Sequence, residues 1–219
     1  MILPRLEYGS LLTYCSQKNS TRDDVIHSKS IMLALKNGRF VEKPPLEMSL
    51  WIARGIKQDI TTLPFSSFFH DDTILVPLPK SAPMQKGTLW VPERIALSLL
   101  AQGLGREVVP MLERTVAVPK SAWSTPQARP LPQQHYDSMA VQKALANPRK
   151  ILLIDDIVTR GSTLLGGASR IHDEYPNCEI VAFAAMRAIN HESDFSKEYY
   201  PVKGEITLRQ MTGDTIRSP

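Results

Sequence analysis

The densest run of chemistry-bearing residues lies between Ile151 and Thr163. Four apolar residues, Ile151-Leu152-Leu153-Ile154, precede two acids, Asp155 and Asp156, then Ile157 and Val158, then Thr159-Arg160-Gly161-Ser162-Thr163. The apolar run reads as a buried strand. The hydroxyl and glycine residues read as a turn that opens a helix, because Leu164, Ala168, Ile171 and Tyr175 then recur at helical spacing. Backbone N–H groups left free at a helix start, one flexible glycine and three hydroxyl side chains make a cradle for a phosphate monoester. Two carboxylates beside that cradle can accept hydrogen bonds from sugar hydroxyls. A plainer role competes, since Asp, Ser and Thr also cap helices with no ligand present. The unbroken order of strand, acids, apolar pair and glycine turn favours the phosphate reading.

Two other stretches carry candidate groups. Thr73 to Leu78 reads as a buried strand running into a loop that holds Lys80, Ser81, Lys86 and Gly87. From Arg114 to Gln142 the texture turns to Pro, Ser, Gln and Arg, and includes Lys120, Arg129 and His135. A connector of that length inside a compact domain is usually functional or disordered, so a mobile loop over a site is expected. His135, a lone histidine in a polar loop, reads as a surface residue. Trp51, Trp90 and Trp123 read as packing residues, and Gly166-Gly167 as a place where a helix packs closely.

These segments need a frame. Val91, Ile95 and Leu99 mark a helix closed by Gly103 and Gly105, and Glu107 to Leu112 a second strand. Lys150 to Ile154 is the clearest strand, Thr163 to Tyr175 the clearest helix, and Glu179 to Ala185 a further strand. Strand, helix and strand in that order form a right-handed parallel crossover, so the fold class is α/β. The expected architecture is a mainly parallel sheet with helices on both faces and ligands at the carboxyl ends of the strands. Residues 1 to 70, irregular and partly helical around Ile31 to Leu35 and Leu46 to Ala53, are expected to form a small N-terminal helical subdomain. A core over 71 to 190 and a tail over 191 to 219 complete the division, and Glu205 to Leu208 of the tail suits an edge strand or a partner contact.

The segment from Ile151 to Thr163 resembles the signature of class I phosphoribosyltransferases, in which a buried strand, two acids and two apolar residues lead into Thr-Thr-Gly-Ser/Ala-Thr. That resemblance implies the type I phosphoribosyltransferase fold and phosphoribosyl pyrophosphate as ligand, with Mg2+ held by Asp155 and Asp156 indirectly through it. Asp155 and Asp156 then become ribose contacts and catalytic residues, and Thr159, Arg160, Gly161, Ser162 and Thr163 the loop around the 5-phosphate. Lys80 and Ser81 fall where the family binds pyrophosphate, and Lys120 and Arg129 where it carries a flexible catalytic loop. Arg160 departs from the pattern, standing where a second Thr is usual. Val91-Pro92-Glu93 replaces the family's Asn-Gln, which bears on the acceptor.

The order Ser30 to Gly38, Leu75-Val-Pro-Leu-Pro79 and signature is similar to the ComF-like branch, without the zinc-binding cysteine pairs that often precede it. That likeness implies a link with DNA uptake and processing. It also covers toxin halves of two-gene phage-defence systems whose partner resembles the DNA-processing protein DprA. Three functions stay open: phosphoribosyl transfer to a base, amine or water in nucleotide metabolism, a sensor of phosphoribosyl pyrophosphate or nucleotide, and a toxin restrained by a DprA-like partner. A homodimer is compatible with each.

Bulk composition sets outer limits. Lys and Arg number 26 against 22 Asp and Glu, a net charge of +4 with no block of like charge. Direct nucleic-acid binding is therefore not indicated, while a phosphate-rich small ligand suits the mild excess. Cys15 and Cys178 alone make neither a disulfide framework nor a four-cysteine zinc site, which points to a reducing, cytoplasmic setting. No run approaches the roughly 18 apolar residues of a membrane span.

Overall fold

The computed structural model describes residues 1–41, 46–119, 129–142 and 148–219. In chain order the elements begin with β1 (Arg5–Cys15), α1 (Asp23–Lys36), the short pair β2 (Phe40–Val41) and β3 (Leu46–Glu47), and α2 (Met48–Asp59). β4 (Thr73–Pro77), α3 (Val91–Ala101), β5 (Glu107–Val108), β6 (Leu112–Arg114), α4 (Pro132–Asp137) and β7 (Met139–Val141) follow. The signature strand β8 (Lys150–Val158), α5 (Ser162–Glu174), β9 (Glu179–Ile189), β10 (Tyr199–Leu208) and β11 (Thr215–Ser218) close the chain.

One seven-stranded sheet in the order β11-β10-β1-β9-β8-β4-β5 organises the molecule. β1, β9, β8, β4 and β5 run parallel, and β10 and β11 add an antiparallel edge. β8 has a hydrogen-bonded neighbour on each side and helices on each face, so Ile151 to Ile154 are all fully buried. Alternation along the strand splits them between two cores. Leu152 and Ile154 join Leu35 of α1, Ile52 and Ile56 of α2, and Ile95 and Leu99 of α3. Ile151 and Leu153 join Leu164, Ala168 and Ile171 of α5. The mainly parallel α/β sheet with helices on both faces is as the sequence leads one to expect.

Four local expectations need correction. The reading of residues 1 to 70 as irregular and partly helical misses β1, which lies inside the central sheet between β10 and β9. Leu6 and Tyr8 enter the core beside α5 while Leu11 and Leu12 enter the other, Tyr8 to Thr13 are buried without a break, and the pairing with β10 shifts register between Ser10 and Leu12, so no simple alternation runs the length of the strand. The second strand expected over Glu107 to Leu112 is divided: β5 ends at Val108, and after Pro110 the chain pairs β6 with β7 in a separate antiparallel ribbon. The expected mobile loop over Arg114 to Gln142 contains α4 and β7, and Lys120 lies outside the described residues. Glu205 to Leu208 belongs to β10, which β11 shields from becoming the edge. Among the described residues no helix is long and apolar enough to cross a membrane.

The paired glycines of α5 do serve close packing. A β-carbon on Gly166 would stand 2.7 Å from both His135 Cβ and the Pro132 carbonyl of α4. One on Gly167 would stand 2.8 Å from Leu78. Backbone atoms cannot retreat as a flexible side chain can, so Gly166→Ala is expected to cost about 1–3 kcal/mol in urea denaturation. An unchanged midpoint would mean that α4 does not rest on α5.

Candidate functional site

Gly161 turns β8 into α5. Its φ of +90° lies in the left-handed region that favours glycine, and a β-carbon there would meet the Ile206 side chain of β10 at 2.6 Å. Glycine is thus required by conformation and by packing, and the packing partner is a strand of the C-terminal hairpin. The side chains of the turn are also engaged. Ser162 Oγ lies 3.0 Å from Thr215 Oγ1 of β11, and Thr163 Oγ1 lies 3.3 Å from His135 Nε2 of α4. Arg160 Nη1 stands 3.7 Å from the Asp214 carboxylate, which Arg209 also approaches at 3.8 Å. A polar niche of about 30 Å³ remains, lined by Arg129, Asp155 and Thr159 to Thr163. That space takes a small anion and is far below the roughly 300 Å³ at which drug-sized ligand pockets begin.

The two acids sit within the end of β8. Asp155 lies opposite Ala184 of β9. The Asp156 amide donates to Asp155 Oδ1 at 2.9 Å, and the Ile157 amide to Asp156 Oδ1 at 2.7 Å, so each carboxylate is oriented by the backbone beyond it. Burial, and then the neighbouring Asp156 carboxylate, push the Asp155 carboxyl well above the usual carboxylate range. Such a group gains from any cation or hydrogen-bond partner brought to it.

Arg129 does reach this place. It lines the niche, and its buried Nε finds no hydrogen-bond partner among the described residues. Lys80 and Ser81 do not line it, and the Lys80 side chain is exposed. Their loop is tied in by backbone instead, because the Lys80 carbonyl accepts from Arg114 Nε at 2.9 Å and the Ser81 carbonyl from the Val118 amide at 2.8 Å.

Arg114 is a residue the sequence reading passes over. It is 1% exposed, donates from Nη1 to Ser138 Oγ at 2.5 Å, and keeps a buried Nη2 with no partner among the described residues. Burial lowers its pKa to about 10, against the opposing pull of Asp155. The signal was the alternation in β6, where Leu112 and Arg114 share the inward face and Glu113 points out.

His135 is corrected from a surface residue to a buried one, 3% exposed, with Nδ1 lacking a partner. Burial and the nearby Arg114 hold its pKa down at about 4. Among the described residues no group of three or more His, Cys, Asp or Glu side chains is placed to cage a metal. Comparison with protein-family models finds no match to this chain, and comparison with curated proteins finds none either.

Two outcomes follow from these environments. A histidine neutral in the fold and basic when unfolded favours the unfolded chain as acid rises, so stability falls as the pH drops from about 6.5 toward 4, by on the order of 3 kcal/mol. His135→Asn should flatten that part of the profile, and a profile identical to the parent's would remove the buried neutral imidazole. Asp155→Asn keeps the acceptor for the Asp156 amide and removes a charge that the fold disfavours. Its thermal midpoint at neutral pH is expected to rise, by about 2–4 °C for each kcal/mol relieved. A fall would show that the Asp155 carboxylate stabilises the strand end.

Proposed function

We propose that this chain is a phosphoribosyltransferase-type domain of type I fold, which binds phosphoribosyl pyrophosphate and cleaves it or transfers its phosphoribosyl group. The observation that carries the reading is the conjunction at the end of β8: a left-handed glycine turn at the start of α5, two carboxylates, and an arginine whose buried Nε–H has no partner among the described residues. The free N–H groups and the positive end of the α5 dipole suit the 5-phosphate. Asp155 and Asp156 suit the ribose hydroxyls. Asp155, easily protonated, can donate as well as accept there.

Reaction breaks the bond between ribose C1 and pyrophosphate while a nucleophile approaches the electron-poor carbon. Positioning and charge stabilisation supply most of the rate, so the task of the protein is to hold both ends of the ligand. Arg129, on the niche lining, suits negative charge, and Arg114 ties down the loop of Lys80 and Ser81 through the Lys80 carbonyl. Magnesium fits this donor set through the ligand rather than a protein cage, since it takes one or two carboxylates plus phosphate oxygens and waters. When bound it lowers the charge of the leaving pyrophosphate. Asp155 and Asp156 would hold it indirectly, and a cation nearby relieves the carboxyl that burial disfavours.

Phosphorus NMR of phosphoribosyl pyrophosphate with Mg2+ and the pure chain separates the outcomes. Pyrophosphate release without a base supports hydrolysis, the chemistry a toxin of nucleotide metabolism needs. Release only with an added base supports transfer, and binding without release supports a sensor. No binding at all would overturn the proposal. Asp214 adds a sharper expectation, because its carboxylate occupies Arg160 beside the niche. Asp214→Asn is expected to tighten phosphoribosyl pyrophosphate binding by about fivefold, the worth of roughly 1 kcal/mol in one charge-assisted contact. Weaker binding would mean that the Asp214 contact shapes the turn for its ligand.

A further inference from the structure

A second pocket, of about 390 Å³, opens at the carboxyl ends of β1 and β9 and shares no lining residue with the niche at Gly161. Its volume is in the range of small-molecule sites. Arg187 of β9 lines it and is 8% exposed, yet its Nε has no hydrogen-bond partner among the described residues. Its guanidinium lies 5.1 Å from the centre of the Tyr200 ring. Arg217 of β11 lines the same pocket, donating from Nη1 to the Tyr8 hydroxyl at 3.1 Å and from Nη2 to the Ala188 carbonyl at 2.7 Å. Those two bonds fix the guanidinium and leave its buried Nε without a partner. Thr13 of β1, the register partner of Arg187, contributes a buried hydroxyl that is also unpartnered.

Besides burial, Tyr8, Arg217 and Tyr200 are the groups that act most on Arg187, and the pocket lining also holds Asp194, His191 and Pro219, whose oxygen accepts from the Tyr8 hydroxyl. Asp194 is on the pocket lining, where it accepts from Ser193 Oγ at 3.2 Å. A guanidinium withdrawn from water with an unanswered donor, as in Arg187 beside the half-buried Arg217, is costly unless an anion completes it. The guanidiniums of Arg187 and Arg217 and the hydroxyl-bearing Thr13, all on the pocket lining, suit the several acceptor oxygens of one oxyanion. The pocket also lies where ligands enter open α/β sheets, outside the carboxyl ends of parallel strands.

We infer that this pocket binds a small molecule through an oxyanion group, phosphate or carboxylate, at a site separate from the turn Thr159 to Thr163. The inference does not depend on what that turn binds. The full chain labelled with nitrogen-15 is titrated with inorganic phosphate and, separately, with acetate, following arginine Nε–H signals and backbone amides. The Arg187 and Arg217 signals, assigned by their loss in Arg187→Gln and Arg217→Gln, are expected to shift saturably with at least one probe. A response to phosphate alone assigns a phosphoryl ligand, and a response to acetate alone a carboxylate ligand. Arg187→Gln should weaken the response of Arg217 at least tenfold while leaving any response of the Thr159 to Thr163 amides unchanged. If Arg187→Gln does not fold, Arg217→Gln is read in the same way at Arg187. Nε–H signals unmoved by either probe to its solubility limit would overturn the site, whatever the amides of the turn report.

Discussion

The turn at Gly161 is the constraint on which the rest of the site depends. A strand buried on both faces has to end, release its chain and start a helix within three residues, and only a left-handed glycine does so with Ile206 packed where a β-carbon would be. Because Ile206 belongs to β10, the last two strands are fastened to the signature turn. Thr215 and Asp214 reach Ser162 and Arg160 through that attachment. The opposite side of the turn rests on α4 through Thr163 and His135, and α4 can approach only because Gly166 has no side chain. Turn, hairpin and ribbon are thus one packed unit.

Around that unit the fold tolerates groups that burial penalises. Asp155 is pushed toward its neutral form, His135 is held neutral, and Arg114 keeps a buried N–H with no partner among the described residues. None of these serves hydrophobic packing, and each lies within the network joining β6, α4 and the end of β8. Local conflicts of this kind are where stability is given up for function. Arg187 and Arg217 repeat the pattern on β9 and β11, with buried donors that lack a partner among the described residues.

Much of this was legible in the sequence, for physical reasons that differ by segment. The four apolar residues before Asp155 could only be a doubly covered strand, and the spacing from Leu164 to Ile171 only a helix on its face. β1 was hidden because its apolar residues divide between two cores without a regular alternation and because pairing with both β9 and β10 is a long-range event that local spacing does not report. α4 and β7 were hidden by composition, since proline and glutamine suggest a loop, although Pro132 is well suited to a first helical turn. Arg129 could be placed near the site through the resemblance, which sets a catalytic loop at that point in the chain. The alternation of β6 turns Arg114 inward but an arginine counts as polar and is passed over, and nothing local marks His135 as buried, since only tertiary packing makes it so.

The central claim, that the end of β8 and its turn form a phosphoribosyl pyrophosphate site, is tested most directly by titration calorimetry of that ligand with Mg2+. The parent chain is compared with the double variant Asp155→Asn, Asp156→Asn, whose fold is checked by circular dichroism. The account predicts saturable binding to the parent and at least a tenfold loss in the folded variant. Equal affinity in the two proteins would contradict it.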